Sequence, residues 1–217
     1  MKEKIIIIGG KGSAVATAEL IEDASIRYNA PYEFMGFCID DESLGTSING
    51  YPILCKRKDL LNKYEKISDV KFLYLLYKPS CMRERVELLK NMMIPSHKFA
   101  NFIHPTAYVA KSAQIGVGNV ISANCIINNN TLLGNHNAIF NNVVIEHDTN
   151  IANNNFFAAS SVIGSETTVG NGNFFGLNCT IREHVAIGNY NIVGMCTGVL
   201  NNIGNNETVV GVPSKKL

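Results

Sequence analysis

The chain has 217 residues, 46% of them hydrophobic and 17% charged, and its 19 Lys and Arg against 18 Asp and Glu leave a formal net charge of +1. Without a basic stripe this balance offers no electrostatic footprint for nucleic acid. The one dense apolar run, Ile5 to Ile8, is too short for a signal-peptide core or a membrane span, so a cytoplasmic protein is expected.

In chain order the first hundred residues alternate between the two regular structures. Lys4 to Gly9 reads as a short buried strand. It ends in the loop Gly9-Gly10-Lys11-Gly12-Ser13-Ala14, and Val15 to Arg27 follows as a helix with Ala and Leu on one face. Phe34 to Ile39 makes a second strand that ends at Asp40 and Asp41. A short strand near Tyr51 to Leu54, a helix near Lys58 to Tyr64, a strand at Lys71 to Tyr77 and a helix at Ser80 to Met93 complete the set. Alternation of this kind predicts a small parallel sheet of Rossmann type, whose ligands sit at the carboxyl ends of the strands.

Gly10, Lys11, Gly12, Ser13, Asp40 and Asp41 all fall at that end. Glycines let a backbone approach a phosphate, the N-terminus of the following helix favours an anion, and a carboxylate after the next strand can accept from a ribose or a base N–H. Val15 stands where a dinucleotide fingerprint has its third Gly, which argues against nicotinamide binding, and a ligand-free tight turn remains the alternative for the loop taken alone. Lys78 is either a point charge for a diphosphate or simply exposed.

From Phe99 the pattern changes. Every sixth residue from Ile103 to Val199 is aliphatic or Phe: Ile103, Val109, Ile115 and so on through Val193 and Val199. The position two residues earlier is mostly small or polar, and the one after is often Gly. A period of six suits neither a helix nor an alternating strand. It suits a solenoid of triangular coils, three hexads each, with inward residues stacked in columns eighteen apart and stable only as an array. The Asn-rich stretches (Asn128 to Asn130, Asn141, Asn142, Asn153 to Asn155, Asn171, Asn173) read as corners where φ turns positive. The six cysteines show no CxxC or Cys/His ligand spacing and read as reduced packing residues, with no metal site expected.

These hexads resemble the left-handed parallel β-helix acyltransferases. The glycine loop, Asp40-Asp41, Ile145-Glu146-His147-Asp148 and the ending Gly211-Val212-Pro213 together resemble the bacterial sugar acetyltransferases, which include N-acetyltransferases of nucleotide-linked amino-deoxy sugars and sialic acid O-acetyltransferases. The resemblance implies an α/β Rossmann-like domain over residues 1–98, a left-handed β-helix over 99–217, a homotrimer, acetyl-CoA as co-substrate and a nucleotide sugar gripped by the N-terminal domain. It implies surface glycan biosynthesis and N-acetylation of a 4-amino-4,6-dideoxy sugar. O-acetylation of a sialic acid stands as the first alternative and a non-catalytic scaffold as the second.

For the site, the resemblance implies His147 as the base that takes the proton of the attacking amine, with Asp148 as its orienting partner and Glu146 as the competing candidate for that role. It implies acetyl-CoA contacts from Phe156, Gly164, the Ser165 amide, Gly211 and Pro213. Phe156 stands where some relatives hold acetyl-CoA with a second His. Nucleotide-sugar contacts are implied from Gly10, Lys11, Gly12, Ser13, Asp40, Asp41 and Lys78. His97, His104, His136 and His184 read as surface or corner histidines.

Overall fold

The computed structural model describes residues 2–217. Its N-terminal part comprises β1 (Glu3–Ile8), α1 (Ser13–Tyr28), β2 (Tyr32–Cys38), β3 (Ser47–Ile48), β4 (Tyr51–Cys55), α2 (Leu60–Tyr64), β5 (Val70–Tyr74) and α3 (Met82–Asn91). Ile5 to Ile8 are fully buried, as a central parallel strand covered on both faces must be. Helix α1 buries Ala14, Thr17, Ala18, Ile21 and Ala24, a single helical face, and stops at Asn29 in the left-handed conformation.

The sheet order is β3-β4-β2-β1-β5. Strand β1 is parallel to both β2 and β5, β2 is parallel to β4, and β3 is an antiparallel edge on β4. The chain therefore steps outward from β1 through β2 to β4 and returns to the far side of β1 for β5. This reversal opens a crevice at the carboxyl ends of β1 and β5. The β3–β4 hairpin was not anticipated from sequence, because two residues are too few to show a period. Strand β5 stops at Tyr74 rather than Tyr77, and a 3₁₀ turn, Pro79–Cys81, precedes α3 where one longer helix was expected.

The rest is a parallel β-helix of three sheets. Its first face carries Ile103, Ile121, Ile139, Phe157, Phe175 and Val193 inward, and the second carries Val109, Ile127, Ile145, Ile163, Ile181 and Val199. The third carries Ile115, Leu133, Ile151, Val169 and Ile187. Each pairs with the residue eighteen away, as the hexad columns require. Inside, the Phe157 and Phe175 rings stack with centroids 4.6 Å apart and planes 3° from parallel. The last turn departs from the repeat: Val193 pairs with Val209, sixteen residues on, and Lys215–Lys216 folds back antiparallel to close the end.

The asparagines divide into two kinds. Asn130, Asn142 and Asn154 do sit at corners with positive φ. Asn155 and Asn173 do not; they point inward and are fully buried. With Asn119, Asn137 and Asn191 they form an internal ladder in which each Oδ1 accepts the backbone N–H of the next coil's Asn or of Glu207. A second ladder, Asn135, Asn153, Asn171, Asn189 and Asn205, runs along the outside of the same corner. Both satisfy backbone donors that the tight corners would otherwise leave bare.

The outward residues of the first face, Phe102, Val120, Ala138, Phe156 and Phe174, form the floor on which the N-terminal part sits. Phe102, Val120, Ala138 and Phe156 join one apolar cluster with Ile5, Ile7, Ala18, Ile21 and Leu73. The Tyr77 hydroxyl donates to the His136 carbonyl (2.6 Å), and the Arg83 guanidinium lies 4.1 Å above the Tyr190 ring while donating to Asn206.

Candidate functional site

Two groups of predicted residues stand out, and they lie on opposite sides of the solenoid. The first is the corner between the second and third faces. Residues one position apart along the chain stack there coil on coil: Asn129, His147, Ser165 and Glu183 in one row; Asn130, Asp148, Glu166 and His184 in the next, all four with φ between 55° and 60°. The carbonyls of Asn129, His147 and Ser165 accept the N–H of Asp148, Glu166 and His184, the second-row residues one coil later, each at 3.0 Å. This fixed scaffold leaves the His147 and Asp148 side chains half-exposed.

The His147 Nδ1 is 2.7 Å from Asp148 Oδ2. Asp148 Oδ1 accepts from the Asn130 Nδ2 at 2.9 Å. Asn130 and then His147 hold the Asp148 carboxyl below the usual carboxylate range, so it is ionised and bound on both oxygens. The carboxylate at Nδ1 orients the imidazole through that nitrogen and leaves Nε2 without a hydrogen-bond partner among the described residues. Glu146 is turned away and instead accepts from Asn128 Nδ2 (2.8 Å). Asn130 was not recognised from sequence, although it stands one coil before Asp148.

Ser165 lies directly on the coil after His147, and its carbonyl is taken by His184. Gly164 beside it accepts from Thr149 Oγ1 (3.2 Å), and a Cβ there would come within 2.5 Å of the Glu183 nitrogen, so only Gly permits this stacking. Phe156 is elsewhere, on the first face, stacked on Phe174 (4.9 Å) and 6.5 Å from Tyr77. Gly211 and Pro213 are at the far end of the solenoid, where the Gly211 carbonyl accepts from Gly198 (3.0 Å).

The second group is a cleft of about 480 Å³ at the crevice beside β1 and β5, lined by Gly10, Lys11, Ser13, Asp40, Asp41 and Lys78 together with Arg57, Tyr77 and Arg85. Gly12 caps α1 at φ 54°. Asp40 receives the Arg57 backbone N–H (2.7 Å), Nε (2.8 Å) and Nη2 (2.6 Å). Partial burial works against its ionisation, and Arg57 more than offsets this, holding the carboxyl low. Asp41 pairs with Lys11 (2.6 Å) and accepts from Ser43; Lys11 and then Ser43 lower it to about 2. Both carboxylates are therefore ionised and each is held by a cation of the protein. Arg57 and Arg85 come from segments with no motif, and nothing in the sequence singled them out.

The remaining histidines depart in part from the surface reading. His184 is at an exposed corner, 3.4 Å from Glu166. His104 is 2% exposed at the junction, its ring edge-on to Tyr28. His136 packs against Phe99 (4.4 Å) with Nδ1 buried and unpartnered, and burial brings its pKa down to about 4. All six cysteines are free thiols. Among the described residues no three His, Cys, Asp or Glu side chains converge, and no helix is long and apolar enough to cross a membrane.

Comparison with solved structures returns likeness over the whole chain. The acetyltransferase domain of PglB from Neisseria gonorrhoeae is 22% identical with a TM-score of 0.85, each chain covered in full. The same domain in complex with acetyl coenzyme A is 23% identical with a TM-score of 0.84, again in full. A mutant of perosamine N-acetyltransferase from Caulobacter crescentus, in complex with CoA and GDP-perosamine, is 22% identical with a TM-score of 0.81, covering 99% of this chain and 96% of its own. At such identities the likeness is one of fold. No curated protein matches by sequence. The family model described as GMPPB C-terminal domain matches residues 98–210, more than half of the chain, and the protein belongs to that family.

Proposed function

We propose that this protein is an acetyl-CoA-dependent N-acetyltransferase of a nucleotide-linked amino sugar. The observation that carries the reading is the chain Asn130–Asp148–His147, an ionised carboxylate that orients a half-exposed imidazole on a solenoid wall. Acetyl coenzyme A in one structural neighbour and CoA with GDP-perosamine in another support the choice of substrates. The N-terminal part, residues 1–98, is a Rossmann-like nucleotide-sugar domain with its cleft at the topological switch point, and residues 99–217 form a left-handed β-helix.

In this mechanism the Nδ1–H of His147 donates to Asp148, and Nε2 accepts a proton from the sugar amine as the amine attacks the acetyl carbonyl. The charge that Asp148 places beside the ring stabilises the imidazolium as it forms. The Ser165 amide donates to the developing oxyanion. No residue is acylated on the way: the tetrahedral intermediate collapses with cleavage of the C–S bond, and the departing CoA thiolate takes up the proton held on His147 Nε2. Gly164, Gly211 and Pro213 are the further acetyl-CoA contacts; three coils at about 4.8 Å each separate His147 from the C-terminal turn, a span suited to a long, extended co-substrate.

The cleft packs on the first face, whereas His147 projects from the corner opposite that face. A sugar held in one chain's cleft therefore meets the His147 of another chain, and Phe156 with Tyr77 belongs to the wall of that shared site. The outward residues of the second face, Tyr108, Ile126, Val144 and Val162, make an apolar stripe beside the His147 corner, with Tyr108 59% exposed. A closed homotrimer buries this stripe and completes three sites. We place the enzyme in the cytoplasm, in surface glycan biosynthesis.

The test is acetyl transfer from acetyl-CoA to GDP-perosamine and to UDP- and dTDP-linked amino sugars, followed as thiol release. Turnover on at least one, abolished in a folded monomeric variant, is expected. Failure to acetylate any amino sugar, with turnover on a hydroxyl sugar instead, overturns the N-acetyl reading.

A further inference from the structure

The cleft charge is distributed unevenly, and the imbalance identifies the part that an anion occupies. Four cations line the cleft, Lys11, Arg57, Lys78 and Arg85, against two carboxylates, Asp40 and Asp41. Lys11 is committed to Asp41 and Arg57 to Asp40. Among the described residues Lys78 and Arg85 have no carboxylate partner, and both belong to the β5–α3 side, Lys78 just before the Pro79–Cys81 turn and Arg85 in the first turn of α3. Arg85 is anchored from beneath, since its carbonyl accepts from the Tyr74 hydroxyl (2.6 Å), and Tyr74 is itself buried at the end of β5.

We infer that Arg85, together with Lys78, binds the diphosphate of the nucleotide-sugar substrate, while the Asp41–Lys11 and Asp40–Arg57 pairs serve the nucleoside. The assignment rests on the nucleotide-sugar reading above and deepens it. Two uncompensated cations beside a cleft are a standing electrostatic cost that a doubly charged ligand removes. A guanidinium adds the forked geometry that matches two phosphate oxygens at once. The β1 loop contributes less net charge, because its one lysine already faces Asp41.

The experiment compares matched ligands by isothermal titration of the full chain. The diphosphates UDP, GDP, dTDP and CDP are each titrated beside the corresponding nucleoside, against wild type, Arg85→Gln and Lys78→Gln, with circular dichroism confirming folding. Wild type should bind its preferred diphosphate well above the nucleoside. Arg85→Gln should weaken the diphosphate roughly 10- to 100-fold, as loss of a charge-assisted bond does, with nucleoside affinity unchanged. Lys78→Gln should do the same more mildly and flatten the salt dependence. A diphosphate bound as tightly by folded Arg85→Gln as by wild type overturns the assignment and leaves the nucleotide-sugar reading intact. Wild type that binds none of the diphosphates overturns both.

Discussion

The two asparagine ladders allow a matched test of what burial adds to a hydrogen bond. Asn155 and Asn171 make the same three side-chain contacts. Asn155 Oδ1 accepts from the Asn173 N–H (2.8 Å) and Nδ2 (3.0 Å), and its Nδ2 donates to Asn137 (3.0 Å). Asn171 Oδ1 accepts from the Asn153 N–H (3.1 Å) and Nδ2 (3.0 Å), and its Nδ2 donates to Asn189 (3.0 Å). Asn155 is fully enclosed, whereas Asn171 lines a groove open to water. Asn155→Ala strands two N–H donors where no water can replace the lost oxygen. At about 1–3 kcal/mol for each buried donor left unpaired, the expected loss is roughly 2–6 kcal/mol. In Asn171→Ala water takes the vacated places, and the net loss should be about 1 kcal/mol or less. For a chain of this size each kcal/mol moves Tm by about 2–4 °C, so the expected drops are roughly 4–24 °C and at most roughly 2–4 °C. Differential scanning calorimetry at one fixed protein concentration measures both, since assembly makes Tm concentration-dependent. Equal drops would refute the argument that burial, and not bond count, sets the cost.

Four further outcomes concern function and pH. His147→Ala should lower kcat by roughly 10²- to 10⁴-fold with acetyl-CoA affinity within a few-fold, and Asn130→Ala should lower kcat less while leaving both KM values unchanged; steady-state kinetics decide each. Asp41→Ala should raise KM for the sugar substrate and leave that for acetyl-CoA unaltered, and an equal rise in both would assign the carboxylate to folding instead. His136 is held neutral in the fold with its pKa near 4, facing Phe99 and Asn154 with Lys90 on the adjoining helix. Its unfolded form takes a proton below about 6.5 that the folded form refuses, so stability should fall as pH drops from 6.5 toward 4, by at most about 3 kcal/mol. Urea unfolding of His136→Asn should show a flatter profile over that window.

The solenoid was legible because its constraint is periodic and local. One apolar residue in six must face the interior, and every such residue from Ile103 to Val199 then falls in its column. The same arithmetic misjudged Asn155 and Asn173. An asparagine two places before an inward residue looks like a corner residue in one sequence, and only the stacking of five of them, eighteen apart, makes their side chains satisfy one another inside. The closing coil was lost for the opposite reason, since a two-residue deletion breaks the period without removing the structure.

The site divides along the same line. His147 and Asp148 are adjacent in the chain, so their pairing could be expected from a short motif; the support from Asn130 depends on coil height, which the hexad count supplies only when carried through residue by residue. Arg57 and Arg85 answer to no period at all. Arg57 follows β4, which lies beyond β2 from β1, and Arg85 opens α3 after β5, so it is strand order that brings both to the cleft. On the proposed reading the motif residues carry the chemistry at the corner, while the cations of the cleft come from the connections between elements. A substrate change in a relative of this chain should therefore leave the His147 corner alone and replace residues at the positions of Arg57, Lys78 and Arg85.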